Sequence, residues 1–142
     1  MSIVIDSGIL ITALFPDEPL APQASALMHY HSAETISAPR LLKSEVIAVI
    51  RKAVYTQRIS SVTGEELLQS AFATPLEFYE SDALLIDAYH IATELNQPRT
   101  YDSQYLALAR RLDVTLWTAD KRLFNSANSR FQVRWLGELS EG

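Results

Sequence analysis

Four acidic residues stand where an acid is hard to explain as surface decoration. Asp6 closes the apolar run "SIVID" (2–6), and Asp120 comes just after "VTLWT" (114–118). Glu45 lies within "RLLKSEVIAVIRKAVYTQR" (40–58), and Asp102 within "TYDSQYLALARR" (100–111). At about 100° per residue, Glu45 sits about 40° from Leu41 and between it and Val49, inside the apolar arc of its helix. Tyr105, Leu106, Ala109 and Leu112 all fall within about 80° of Asp102. These acids therefore point toward an interior or a cleft. One ionised carboxylate buried without a partner neutralises or finds a cation. Four converging acids repel one another unless a divalent cation joins them. The chain has no cysteine and three histidines, so oxygen donors dominate, which suits Mg²⁺ or Mn²⁺ better than zinc. Such an ion takes one or two carboxylates directly, keeps several waters, and can activate one of them against a phosphodiester.

Each acid also has a plainer role open to it. Asp102 can cap its helix, Asp120 can serve a turn, and Asp6 can accept backbone hydrogen bonds at a strand end. Glu45 is the hardest to dismiss, because a glutamate in an apolar stripe is uncommon unless paired. Asp87, with Glu94 and His90 near it on one helix, reads as a polar border with weak helical pairings. An Asp-x-x-His metal site there is the less favoured reading. His29 and His31 read as surface or packing residues, and no histidine accompanies Ser7 in a nucleophile arrangement.

The elements that must position these groups follow from periodicity. Strands are expected at 2–6, 35–39, 76–80, 114–118 and 131–135, each short and apolar or alternating. Helices are expected from Gly8 to the break at Pro16, then over 22–31, 40–58, 63–72, 81–95 and 102–112. "ADKR" is expected to be a turn leading to a short helical piece. Strands alternating with helices predict a three-layer α/β/α sandwich with a mainly parallel sheet of about five strands. Ligands of such folds gather beyond the carboxyl ends of the strands, where Asp6 and Asp120 fall.

With 142 residues, 48% of them hydrophobic, one domain over 1–138 is expected, and 139–142 reads as a flexible tail. No apolar run approaches the roughly 20 residues needed to span a bilayer, and no signal peptide is evident, so a cytoplasmic protein without a membrane partner is expected. The net charge of −5 at first argues against a nucleic-acid partner. Its distribution weakens the objection: no Lys or Arg lies between Arg58 and Arg99, while seven acids do, and outside that segment bases slightly outnumber acids. Local fields matter more than totals.

With its acids in this order, the chain resembles the PIN-domain nucleases, especially the VapC-like toxins of bacterial and archaeal toxin–antitoxin pairs. The resemblance runs through "IVIDSG", "APRLLKSEVIAVIRKA", "TYDSQYLALARRLDVTLWTAD" and "KRLF", from residue 3 to about 124. It implies a Mg²⁺- or Mn²⁺-dependent endoribonuclease whose acidic residues are Asp6, Glu45, Asp102 and Asp120. The family's small hydroxyl residue before the last acid maps onto Thr118. It also implies a homodimer inhibited by an antitoxin protein. After the first aspartate the family usually has a small residue followed by Ser or Asn, whereas this chain has Ser7-Gly8. Arg40, Lys43, Lys121 and Arg122 lie near the acids in sequence and are the candidates for phosphate contacts on RNA. The alternative function is a catalytically weak PIN scaffold that binds RNA or a partner, with Gly8 as its best support.

Overall fold

A computed structural model describes residues 2–139. Five strands form one sheet: β1 (Ile3–Ile5), β2 (Ile36–Pro39), β3 (Glu77–Tyr79), β4 (Thr115–Thr118) and β5 (Val133–Trp135). The helices are α1 (Ser7–Leu14), α2 (Ala21–Tyr30), α3 (Leu41–Tyr55), α4 (Ser61–Ala73), α5 (Asp82–Glu94), α6 (Tyr101–Leu112) and α7 (Lys121–Ala127). A short 3₁₀ turn, Leu136–Glu138, follows β5. Among the described residues, no helix is long and apolar enough to cross a membrane.

The sheet order is β3-β2-β1-β4-β5. Every pairing is parallel, so the mainly parallel expectation is met in full. Parallel strands covered on both faces read as continuous apolar runs. Ile3, Val4 and Ile5 of β1 are accordingly all buried, as are all residues of β2. The edge strands differ: Glu77 of β3 and Arg134 of β5 face water.

Parallel neighbours need crossover connections, and these carry the helices. α1 rests on β1 and β4 and packs against α2, α3 and α4, while α3 touches β2. On the other face α6 covers β1, β2 and β4, with α5 packed against it. Sandwiched between are Val4, Ile5, Ile9, Leu42, Val46, Leu106, Leu108 and Leu116, each with almost no exposed surface. The chain moves outward from β1 to β3 in one direction and from β4 to β5 in the other. The switch point therefore lies between β1 and β4, where Ile5 pairs with Trp117.

Helix starts are chemically explicit. Ser60 accepts from the Thr63 amide and Ser81 from the Leu84 amide, each at 3.1 Å, as N-capping hydroxyls do. "ADKR" is no turn: Asp120 caps α7, and Lys121 and Arg122 form its first turn. At the other end of the chain, Leu139, expected in a flexible tail, packs against the core. Residues 140–142 of that expected tail lie outside the described residues.

Candidate active site

The switch point brings two acids together through backbone register. Asp6 follows β1, and Thr118 ends the adjacent β4. Thr118 is fully buried and its hydroxyl donates to Asp6 Oδ2. The same hydroxyl accepts from the Asp120 amide at 2.9 Å. Asp6 Oδ1 accepts from the Ile9 amide at 3.1 Å and the Ala119 amide at 3.4 Å. Asp120 Oδ1 accepts from the Arg122 and Leu123 amides at 2.9 and 3.4 Å. Asp6 and Asp120 therefore both cap helices, α1 and α7, while standing at the carboxyl ends of neighbouring strands.

Asp102 is not a cap. Thr100 holds that position and Asp102 lies in the first turn of α6, so the plainer role considered for it is not the one it has. The residue as a whole is exposed, at the mouth of the site. Loss of water around its carboxyl, then the charges of Asp120 and Glu45, raise its pKa, with Arg122 acting against them. Asp6 is buried, and desolvation lifts its carboxyl from 3.8 to about 7. Bonds from Thr118, Ile9 and Ala119 oppose that rise, and the charge of Asp102 adds to it. These couplings place Asp6, Glu45 and Asp120 each within electrostatic reach of Asp102.

Glu45, half-buried on α3, is reached from the opposite layer. The Tyr105 hydroxyl of α6 donates to Glu45 Oε1. Burial first, and then this bond to a carboxylate, push the Tyr105 phenol well above its ordinary range. The Ser7 hydroxyl, bonded to the phenol, works in the opposite direction. Tyr105 is the polar residue that sequence reasoning did not place at the site. The helical wheel put Tyr105 on the Asp102 side of its helix, but said nothing of a partner on α3.

Of the candidate phosphate-binding cations, Arg122 is the one that acts electrostatically on Asp102. Lys43 instead lies over the rings of Phe78 and Phe72, 4.5 and 5.6 Å from their centroids. Lys121 lies over Trp135 at 4.9 Å. Arg40 is exposed where β2 meets α3. Away from the site, Asp87 pairs with Arg111 at 2.7 Å, so its partner is on α6 and not within its own helix. His31 is buried in an edge contact with Tyr30.

Gly8 now has a packing reason. A Cβ there would come within 3.0 Å of Ala119 Cβ and 3.3 Å of Asp6 Oδ1. The start of α1 and the loop after β4 approach so closely that a side chain at residue 8 would have to push its neighbours aside by a few tenths of an ångström. Among the described residues, no group of three or more histidine, aspartate or glutamate side chains is gathered so as to hold a metal ion.

A five-stranded parallel sheet with helices on both faces and acids at its switch point is a doubly wound α/β/α domain. The PIN domain family model matches residues 3–128, and the chain belongs to that family. It is 29% identical over 131 residues to ribonuclease VapC9 of Mycobacterium tuberculosis, covering 92% of this chain and 95% of that protein. Two solved structures share the fold. VapBC2 from Rickettsia felis, bound to a DNA fragment from its promoter, superposes with a TM-score of 0.70 at 14% identity, over 95% of this chain and 98% of that one. Mycobacterium tuberculosis VapC20, a sarcin-ricin loop cleaving toxin, gives 0.67 at 10% identity, over 91% and 95%.

Proposed function

We propose that this PIN domain is an endoribonuclease that works with Mg²⁺ or Mn²⁺ held by Asp6, Glu45, Asp102 and Asp120. The observation that carries the reading is the electrostatic one. Burial first, and then the charges of Asp120 and Glu45, raise the pKa of Asp102, and buried Asp6 feels the charge of Asp102 in turn. A site in which burial and neighbouring acids outweigh the influence of Arg122 favours a cation. The oxygen-only donor set suits a hydrated ion bound directly by one or two carboxylates, which does not require a ready-made cage of three. The name ribonuclease carried by the VapC9 relative supports RNA as the substrate.

When bound, the metal would polarise a water and stabilise charge on the phosphoryl oxygens. The chain's own residues do the rest. Thr118 orients Asp6 by donating to its Oδ2. The Ile9 and Ala119 amides fix the other oxygen. Asp120 is held by the first turn of α7, which presents Arg122 beside Asp102 for a phosphate. We propose further that the protein is the toxin of a toxin–antitoxin pair, acting as a cytoplasmic homodimer restrained by a protein antitoxin. The VapBC2 likeness fits that reading at the level of fold.

The test is cleavage of a mixed RNA pool with and without Mg²⁺ or Mn²⁺, comparing wild type with Asp102→Asn. Metal-dependent cleavage that drops about 10- to 100-fold or more in a folded variant supports the site. Equal cleavage by both proteins removes Asp102 from it. The weak-scaffold alternative needs a wild type that binds RNA and cleaves none of it, and Gly8, explained by packing against Ala119, no longer argues for it.

A further inference from the structure

Tyr105 lies outside the acidic set, yet its hydroxyl joins elements from both layers of the fold. The residue is 1% exposed on α6. Its phenol donates to Glu45 Oε1 of α3, and the Ser7 hydroxyl at the start of α1 bonds to the same phenol. Phenylalanine would fill nearly the same volume, so packing alone does not require the oxygen. A buried hydroxyl is costly unless partnered, and this one is directed at a carboxylate of the candidate site.

A carboxylate can bind a cation through one oxygen or two. With one lone pair of Oε1 taken by the phenol, Oε2 is the unencumbered oxygen of Glu45, and a cation bound through both oxygens would have to share Oε1 with the phenol. Mg²⁺ demands a small octahedral shell, while Ca²⁺ takes a larger one in which carboxylates often bind through both oxygens. Partners that orient a ligand in this way also set how tightly the site holds its ion. We infer that Tyr105 is a positioning residue that holds Glu45 as a one-oxygen donor, biasing the site toward small octahedral cations and against Ca²⁺. This rests on the metal-nuclease reading above.

The experiment is calorimetric titration of the full chain with MnCl₂ and, separately, CaCl₂, for wild type, Tyr105→Phe, Glu45→Gln and the double variant. Melting temperature and circular dichroism report on the fold. In Tyr105→Phe the Mn²⁺ affinity falls about 10-fold while Ca²⁺ affinity holds or rises, narrowing the ratio between the ions. In the Glu45→Gln background, Tyr105→Phe has little further effect on Mn²⁺, because the carboxylate it orients is gone. If Tyr105→Phe binds both ions as wild type does, or loses both equally, the assignment is wrong while the metal site stands. A wild type that takes up neither ion overturns the metal site and this inference together. Should Tyr105→Phe fail to fold, Ser7→Ala removes the hydroxyl that bonds the phenol. It then narrows the Mn²⁺/Ca²⁺ ratio by a smaller factor, and an unchanged ratio overturns the assignment.

Discussion

Asp6 meets conflicting demands with two oxygens. Its amide and hydroxyl partners favour the charged form, but burial dominates and lifts its pKa to about 7. The consequence for stability has a definite sign. Between the ordinary value of 3.8 and about 7, the unfolded chain ionises this group while the folded chain keeps its proton. Unfolding then releases a proton, so stability falls as pH rises through that window and is level above it, a loss of at most about 4 kcal/mol. Asp6→Asn lacks this loss. In metal-free buffer, the variant should gain on wild type by a few kcal/mol between pH 4 and 7, and no more above that. Urea denaturation at several pH values measures the gap; a constant gap would show that Asp6 ionises normally. Asp102 leans the same way, for burial and for its acidic neighbours.

Helix starts carry the site at the next scale, and glycines set how closely those starts approach. Gly8→Ala adds a good helix former, worth about 1 kcal/mol in an open helix. Here the new Cβ meets Ala119 at 3.0 Å and crowds Asp6. The expected result is no gain in melting temperature and a several-fold loss of cleavage, with Ala119→Gly in the same chain restoring both. Persistent loss in the double variant would mean that crowding at Ala119 is not the cause. Gly64 makes the parallel case away from the site. A Cβ there would sit 2.5 Å from Val54 Cγ2, where α4 crosses α3. Gly64→Ala should cost about 1–3 kcal/mol by overpacking, measured by thermal denaturation, and Val54→Ala should recover part of it. Strands β1 and β4 were legible because buried parallel strands are short apolar runs. The first turn of α7 was not, because Lys121 and Arg122 show no apolar period and Asp120 suits a turn as well as a cap. Asp102 was rightly put at the start of a helix, and the plainer cap role open to it falls instead to Thr100. The Tyr105–Glu45 bond was hidden for another reason: one-dimensional periodicity tells which way a side chain faces, not what another helix places opposite it.

For the whole molecule, a net charge of −5 and a polyanionic substrate are compatible only if binding relies on a few local cations. The structure separates the four candidates. Arg122 acts on Asp102, an acid of the site, while Lys43 lies over Phe78 and Phe72. Few phosphate contacts mean a shallow salt dependence, with the logarithm of affinity falling by about 0.7 per contact for each logarithm of salt on single strands. The measurement is fluorescence anisotropy of single-stranded RNA across a salt series, with Asp102→Asn as the background so that binding is read without cleavage. Adding Arg122→Gln should weaken binding and reduce the slope by about 0.7. Adding Lys43→Gln should leave the slope unchanged, because that ammonium already faces aromatic rings. A slope that responds to Lys43 and ignores Arg122 would move the RNA path away from the α7 start and toward the α3–β3 side. The site would then have to receive its phosphate from the opposite rim.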